Sequence, residues 1–173
     1  AGYFKLDGED FARTFRLDMD PDPAFMPFYA ELVGIDTLQC LAEADLKARS
    51  AELLAKHTAE MPTDNPVVRF AARFQRDLPL LQDKGLAYYH AWAFATVRQL
   101  GAAAELAALH LRWLDAERHA VAAEAWDRIN QGAKTFILKA ARAVNGRRAL
   151  DASTYFEEWA QAWQSARDAL PSG

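Results

Sequence analysis

The sequence has little of what would cross-link the chain or carry it into a membrane. It contains one cysteine, Cys40, so no disulfide can form within the chain, and a reducing compartment is expected. No stretch reaches the roughly 18 uncharged apolar residues of a membrane helix, and the first residues do not resemble a signal peptide. We therefore expect a cytoplasmic protein that has no membrane partner.

Neither sign of charge is in large excess. The 20 basic and 24 acidic residues give a formal net charge of −4, which is atypical of nucleic-acid-binding proteins. Apolar residues make up 51% of the chain and charged residues 25%, as is usual for globular proteins. The 173 residues suffice for one well-packed domain, and nucleic acid is not expected among its partners.

The sequence patterns of common enzyme sites are also missing. The eight glycines are scattered singly, and no serine lies in a Gly-x-Ser-x-Gly turn. Cys40 falls beside an apolar stripe, so we predict a buried, inert thiol rather than a nucleophile. Asp115 and His119 could share a metal, but no second ligand pair accompanies them, and a surface hydrogen bond is the simpler interpretation. We predict no catalytic residue, no metal and no cofactor.

Alanine, leucine, glutamate and arginine are abundant while strand-favouring residues are scarce, so the composition predicts an all-α fold. Apolar periodicity and helix-breaking residues predict a bundle of five helices. The third is apolar nearly all round, so we expect it to be central and covered by its neighbours. The five predicted helices span residues 36–60, 65–78, 86–114, 116–145 and 151–170.

The first 37 residues differ from the rest. Short alternating runs at residues 3–6 and 11–17 flank the turn signal Asp7-Gly8 and predict a β-hairpin or an extended lead-in. Three prolines then follow within residues 21–27, which favours an extended connector. We predict two parts: a lead-in at 1–37 that belongs to or packs on a missing N-terminal domain, and a helical bundle domain at 38–173.

One set of polar residues in the third helix could bind a small ligand. Arg98 and Glu105 are seven positions apart, which places both on one face of the helix, and His90 lies among aromatic residues. The Arg98–Glu105 face could instead be a solvated strip or a charge network between helices, and His90 could be a core or surface histidine. A surface-exposed strip would argue against a ligand pocket. The candidate ligand-binding residues are His90, Arg98 and Glu105.

Two clusters of basic residues are candidates for binding a partner. Arg69, Arg73 and Arg76 form a cationic stripe on the second predicted helix. Residues 132–150 hold five basic residues and no acidic one. A solvated face is the default for both clusters, and docking of an acidic partner is the alternative. The candidates in the second cluster are Lys139, Arg142, Arg147 and Arg148, with Lys134 beside them.

Several stretches resemble the C-terminal part of a bacterial family classed as a domain of unknown function. The most distinctive is HAWAFATVRQLGAAAEL at residues 90–106, followed by LRWL at 111–114. NPVVRF at 65–70, GYFKL at 2–6 and FRL at 15–17 add to the likeness.

The resemblance implies a protein about twice as long as this chain, encoded near amino acid:[carrier protein] ligases. Its N-terminal half would resemble papain-like acyltransferases of the butirosin type and would hold the catalytic cysteine and histidine. This chain would then be a helical accessory domain that packs on that half, shapes an acceptor pocket or docks an acidic acyl or aminoacyl carrier protein. The alternatives are a non-catalytic interaction module and a small-ligand-binding bundle.

Overall fold

The computed structural model describes residues 8–9 and 39–171, and within 39–171 every regular element is helical, with no strand. The all-α prediction is therefore confirmed for the described part of the chain. The chain divides into two units between residues 41 and 42, and the architecture below is that of the second unit. The strands of the predicted hairpin lie outside the described residues, while Gly8 and Glu9, at its predicted turn, are helical. The boundary between lead-in and bundle stays a prediction.

Residues 39–171 form four helical segments rather than the five predicted helices, and the second segment is kinked at Gly85. Gly85 was expected to separate two helices, and its backbone is indeed non-helical (φ 80°, ψ −176°), but helix resumes at the next residue. A π-helical turn then leads directly into the next α-helix, so the second and third predicted helices become one run. The elements are α1 Glu43–Ala59, α2 Pro66–Ala93, the π turn Phe94–Arg98, α3 Gln99–Asp115, α4 Ala120–Asn145 and α5 Ser153–Asp168.

Helix α2 begins where the sequence predicts, at the Asn65-Pro66 pair. The Asn65 side-chain oxygen accepts a hydrogen bond from the Val67 backbone N–H at 3.0 Å, and Pro66 takes a position whose N–H would have no helical partner. The Asn65 side-chain amide also donates to the Ala160 carbonyl of α5 at 2.8 Å. One residue therefore caps α2 and ties its start to α5.

Helix α4 lies at the centre of the bundle, in contact with α2, α3 and α5. Phe136 on α4 meets Phe74 from α2 at 5.2 Å between ring centroids, and Phe156 and Trp159 from α5 at 5.3 and 5.5 Å. Tilted and edge-to-face rings at such distances add about 0.5–1.5 kcal/mol per pair beyond the burial of their area. The apolar residues that helical spacing predicts on the inward faces of α4 and α5 are largely buried, except that Val121 is exposed.

Helix α3 is not covered all round, contrary to the prediction. Its buried face carries small residues and Leu111, while Leu106, expected to point inward, is 67% exposed. Leu109 and Trp113 are exposed as well. The π turn adds a residue to one turn, which rotates the following helix relative to the uninterrupted 3.6-residue pattern. The buried positions of α3 are Gly101, Ala104, Ala108 and Leu111.

Helix α1 begins at Glu43, later than predicted, and buries none of its residues. Its predicted apolar stripe is largely exposed at Leu46 and Leu53. It packs against α3, where the Ser50 hydroxyl and the His110 ring nitrogen Nε2 share a hydrogen bond of 2.9 Å. Cys40, predicted to be buried, is exposed just before this helix, so that prediction is wrong.

Among the described helices, none has both the length and the apolar character needed to cross a membrane.

Candidate functional site

Two of the three predicted ligand-binding residues, Arg98 and Glu105, line an open groove between the π turn, α3 and α4. The groove has a volume of about 400 Å³. Arg98 and Glu105 contribute from one wall and Lys134 from the other. Its remaining lining residues are Val97, Gly101, Ala102, Asn130, Ala133, Ile137 and Leu138.

The floor of the groove is a close crossing of α3 and α4. A Cβ added to Gly101 would lie 3.0 Å from the Cβ of Ala133, so the two backbones approach as nearly as their smallest side chains allow. Gly101 and Ala133 are both buried. This contact fixes the separation of the two walls.

The charged side chains of the groove are exposed. The Lys134 ammonium donates to a Glu105 carboxylate oxygen at 3.3 Å, and these side chains are 55% and 48% exposed. The Arg98 guanidinium lies 5.6 Å from the ring centroid of Phe94 and has no carboxylate partner among the described residues. Glu105 thus belongs to a charge pair between helices, Arg98 is solvated, and their exposure argues against an enclosed ligand pocket.

His90 does not join Arg98 and Glu105. It is exposed, its ring lies 5.7 Å from that of Tyr89, and it is not among the groove residues. Tyr89 is fully buried, and its hydroxyl donates to the Ile137 carbonyl at 2.7 Å. Burial raises the pKa of Tyr89 to about 12. Within this part of α2 the buried polar group is therefore Tyr89, and the histidine beside it faces solvent.

Sequence analysis missed Asn130, which lines the same groove. It is 3% exposed, and its side-chain oxygen has no hydrogen-bond donor among the described residues. The sequence does contain a signal for Asn130: it is a polar amide residue directly after Ile129, on a helix whose inward positions are otherwise apolar. Periodicity could flag that position as unusual, but only the packing of Gly101 against α4 shows that its side chain is enclosed.

The predicted arginine stripe lies on the exposed side of α2. Two of its three members are paired locally: Arg69 with Asp64 at 3.2 Å, and Arg73 with Asp77 at 2.6 Å. Arg76 makes no ion pair with a described residue. The stripe is therefore less cationic than its sequence indicates, and Arg76 is the member that has no acidic partner among the described residues.

The second basic cluster surrounds the C-terminal end of α4. Arg142 lies in the last turn, and Arg147 follows with a left-handed backbone (φ 48°). The Arg148 carbonyl accepts a hydrogen bond of 2.7 Å from the Gln82 side chain on α2. The cluster therefore adjoins the helix that carries Arg76.

Lys139, the remaining member of this cluster, has its ammonium 5.0 Å from the centroid of the Tyr155 ring. We define the basic surface as Arg69, Arg73, Arg76, Lys139, Arg142, Arg147 and Arg148.

Asp115 and His119, considered above as possible metal ligands, lie at the junction between α3 and α4. The Asp115 carboxylate accepts a hydrogen bond from the Arg118 backbone N–H at 3.0 Å. His119 is buried at the start of α4, with its Nδ1 lacking a partner among the described residues. Burial lowers the pKa of His119, nearby Arg118 and His110 lower it further, and Asp115 opposes them. No group of three His, Cys, Asp or Glu side chains suited to a metal occurs within residues 39–171.

The DUF1839 C-terminal domain matches residues 43–172 of the chain. No curated protein and no solved structure matches the chain significantly.

Proposed function

This chain belongs to the DUF1839 C-terminal domain family, and on that premise we propose that it is the helical recognition domain of a longer protein. Its role is to dock an acidic partner through the basic surface. The reactive groups of the full protein belong to another part of the polypeptide, on which this domain also packs.

The observation that carries the proposal is the hydrogen bond from Gln82 to the Arg148 carbonyl. It ties the C-terminal half of α2 to the loop after α4, so the helix that carries one basic cluster contacts the loop that carries part of the other. Arg76, Arg142 and Arg147 are exposed, and they make no ion pair with a described residue. A positive surface of this kind attracts a negative partner and chiefly raises the association rate.

We assign the partner to the carrier proteins because the resemblance seen in the sequence implies that such proteins are encoded near amino acid:[carrier protein] ligases. A carrier protein is small and acidic, and it presents a tethered acyl or aminoacyl group. On this proposal the full-length protein transfers that group to a small acceptor, and the helical domain positions the carrier for the transfer.

The test measures binding of an acidic acyl carrier protein to the chain by surface plasmon resonance at low and at physiological salt. The variant replaces three uncompensated cations: Arg76→Gln, Arg142→Gln and Arg147→Asn, the last because asparagine tolerates the left-handed backbone. We expect about tenfold slower association at low salt and a weaker dependence on salt.

A matched control removes three exposed arginines elsewhere: Arg49→Gln, Arg118→Gln and Arg128→Gln. It changes the net charge equally and should leave binding nearly unchanged. If both triple variants lose the same affinity, net charge alone explains the attraction and the basic surface is not the docking site. If the parent chain binds no carrier but does bind another acidic protein through this surface, the carrier assignment fails and a general interaction module remains.

A further inference from the structure

A second cleft lies between the start of α2 and the helix that runs from the π turn into α3. Its volume of about 490 Å³ falls within the range of about 300–1,000 Å³ that is usual for small-molecule sites. None of its lining residues is charged. We call it the apolar cleft, and its main lining residues are Val67 and Phe70 of α2, Leu100 and Ala103 of α3, Trp126 of α4 and Trp163 of α5.

The walls of the apolar cleft belong to the hydrophobic core. Val67 and Trp163 are members of the larger cluster of buried residues, and Trp126 packs against both this cluster and the smaller one. The cleft therefore lies where the two clusters meet. Phe70, Leu100 and Trp126 are only partly buried there. An apolar ligand in the cleft would remove their remaining apolar surface from water, which is favourable.

The apolar cleft has no buried polar side-chain atom that awaits a partner. The Thr96 hydroxyl, in its lining, donates to the Trp92 carbonyl at 2.8 Å. Among the described residues, the buried side-chain atoms without a partner belong to His119, Asn130 and Trp159, and none of these lines the cleft. An extended peptide would bury backbone N–H and C=O groups here without partners, which is costly. A hydrocarbon chain needs no such partners.

A cation contacts one wall of the apolar cleft. The Arg167 guanidinium lies 5.6 Å from the ring centroid of Trp163, and it donates to the Thr63 carbonyl in the loop before α2 at 3.1 Å. It forms no ion pair with a described residue, whereas Arg69, near the start of α2, is paired with Asp64. The Trp163 side of the cleft therefore favours a ligand that carries a negative charge outside its apolar part.

We propose that the apolar cleft binds a free medium-chain fatty carboxylate. A methylene group takes up about as much space as a water molecule, roughly 30 Å³, so a chain of about ten carbons fills roughly 300 Å³ of the cleft. The chain lies against Phe70, Leu100 and Trp126. The carboxylate stays in water at the rim, where Arg167 attracts it over a distance on the order of one Debye length, about 10 Å. The assignment does not depend on the docking of an acidic partner, because the apolar cleft and the basic surface share no residue.

The first experiment titrates the chain with decanoate at low salt, below the micelle concentration, and follows backbone amide chemical shifts. Each methylene that leaves water contributes up to about fourfold in affinity, so hexanoate should bind at least about tenfold more weakly. Decylamine has the same chain and the opposite charge. It should bind at least about threefold more weakly than decanoate, although the net charge of −4 would attract it. Absence of shifts at Val67 and Leu100, or equal binding of either analogue, overturns the proposal.

The second experiment fills the apolar cleft without touching the core. Long side chains on a helix point back over the preceding turn, so the ring in Ala103→Phe covers Leu100 and should weaken decanoate binding at least about tenfold. Ala102→Phe, at the neighbouring exposed position, covers the turn at Arg98 instead and should bind as the parent does. Both positions are exposed, so both variants should keep the melting temperature of the parent. Unchanged affinity in Ala103→Phe, or an equal loss in both variants, contradicts the assignment.

The third experiment separates the charge of Arg167 from its packing on Trp163. Arg167→Gln should weaken decanoate binding about threefold at low salt and leave decanol binding unchanged. An equal loss for both ligands would mean that Arg167 only supports the wall, and no loss for either would mean that its charge plays no part. Each of these results overturns the carboxylate assignment. Amide shifts at Val67 and Leu100 that depend on protein concentration before any ligand is added would show that a second copy of the chain occupies the cleft, and they would also overturn it.

Discussion

The indole nitrogen of Trp159 occupies the place where a Cβ on residue 132 would stand, so α5 can lie this close to α4 only because that residue is Gly132. Trp159 is 1% exposed, and its ring joins Phe136, Phe156 and Tyr155 in the aromatic core. Glycine in a helix interior is usually less favourable than alanine by about 1 kcal/mol. Here tertiary packing overrides that preference.

Gly132→Ala should therefore destabilise the protein despite its better helix propensity. The added methyl group must displace the Trp159 ring, and overpacking of this kind costs about 1–3 kcal/mol. Urea unfolding followed by tryptophan fluorescence measures the change in the free energy of unfolding. Gln131→Ala, at the exposed neighbouring position, serves as the control and should change stability by no more than about 0.5 kcal/mol. A Gly132→Ala variant as stable as the parent would contradict the observed packing.

Local signals explain why parts of this fold could be predicted from the sequence. Asn65-Pro66 marks the start of α2 through a cap that depends on adjacent residues alone. The inward face of α5, with Phe156, Trp159 and Trp163, follows from helical spacing. Glycine likewise explains the kink at Gly85, but the gap that we predict between residues 78 and 86 shrinks to this one non-helical residue, after which the helix resumes.

What the sequence could not predict depends on contacts between helices. The π turn shifts the buried face of α3 by about one residue, and no local sequence pattern predicts this turn. Helical spacing predicts that Arg98 and Glu105 share a face, and both line the groove, yet the ion-pair partner of Glu105, Lys134, lies on another helix. Asn130 becomes a candidate only when the Gly101 crossing encloses it. Long-range packing therefore decides which polar residues belong to the groove.

Tyr89 should make the stability of the protein depend on pH in the alkaline range. Burial raises its pKa from 10.0 to about 12, so the folded state prefers the neutral phenol. Its contribution is fully present below pH 10 and is lost as the pH rises through about 12. Tyr89→Phe should lower the free energy of unfolding by about 1 kcal/mol at pH 8, through loss of the hydrogen bond to Ile137.

The measurement compares unfolding of the parent and Tyr89→Phe at several pH values between 9 and 11.5. The difference in stability between the two proteins should shrink toward the alkaline end. Tyr88→Phe, an exposed neighbour, should follow the parent throughout. A constant difference across the range would show that the Tyr89 phenol does not titrate differently in the folded and unfolded states.

His119 should make the stability of the protein depend on pH in the acidic range. Its folded-state pKa lies below the usual 6.5 because of burial, so the unfolded chain takes up the proton first as the pH falls. The stability that neutral His119 contributes is present above 6.5 and is lost as the pH falls through the folded-state pKa. His119→Gln should therefore lose less stability than the parent between pH 7 and pH 5. Thermal unfolding at both values tests this, with His57→Gln on α1 as the control.

Cys40 should react with thiol reagents in the native protein, since it is exposed just before α1. Ellman's reagent should titrate one thiol per chain without denaturant. The rate should rise by less than about tenfold in urea, because local opening is not needed for access. A native thiol that reacts only after unfolding would restore the original prediction of a buried cysteine.

Glu105 and Lys134 should couple only weakly, even though they join α3 to α4. Both side chains are about half exposed, and exposed pairs measured in double-mutant cycles contribute about 0.2–1 kcal/mol. The cycle uses Glu105→Gln, Lys134→Met and the double variant, with unfolding measured in low and high salt. Because the attraction is screened, the coupling energy should fall at 1 M salt. A coupling well above 1 kcal/mol that persists in high salt would mean that the pair is shielded from solvent, which would contradict the exposure of both side chains.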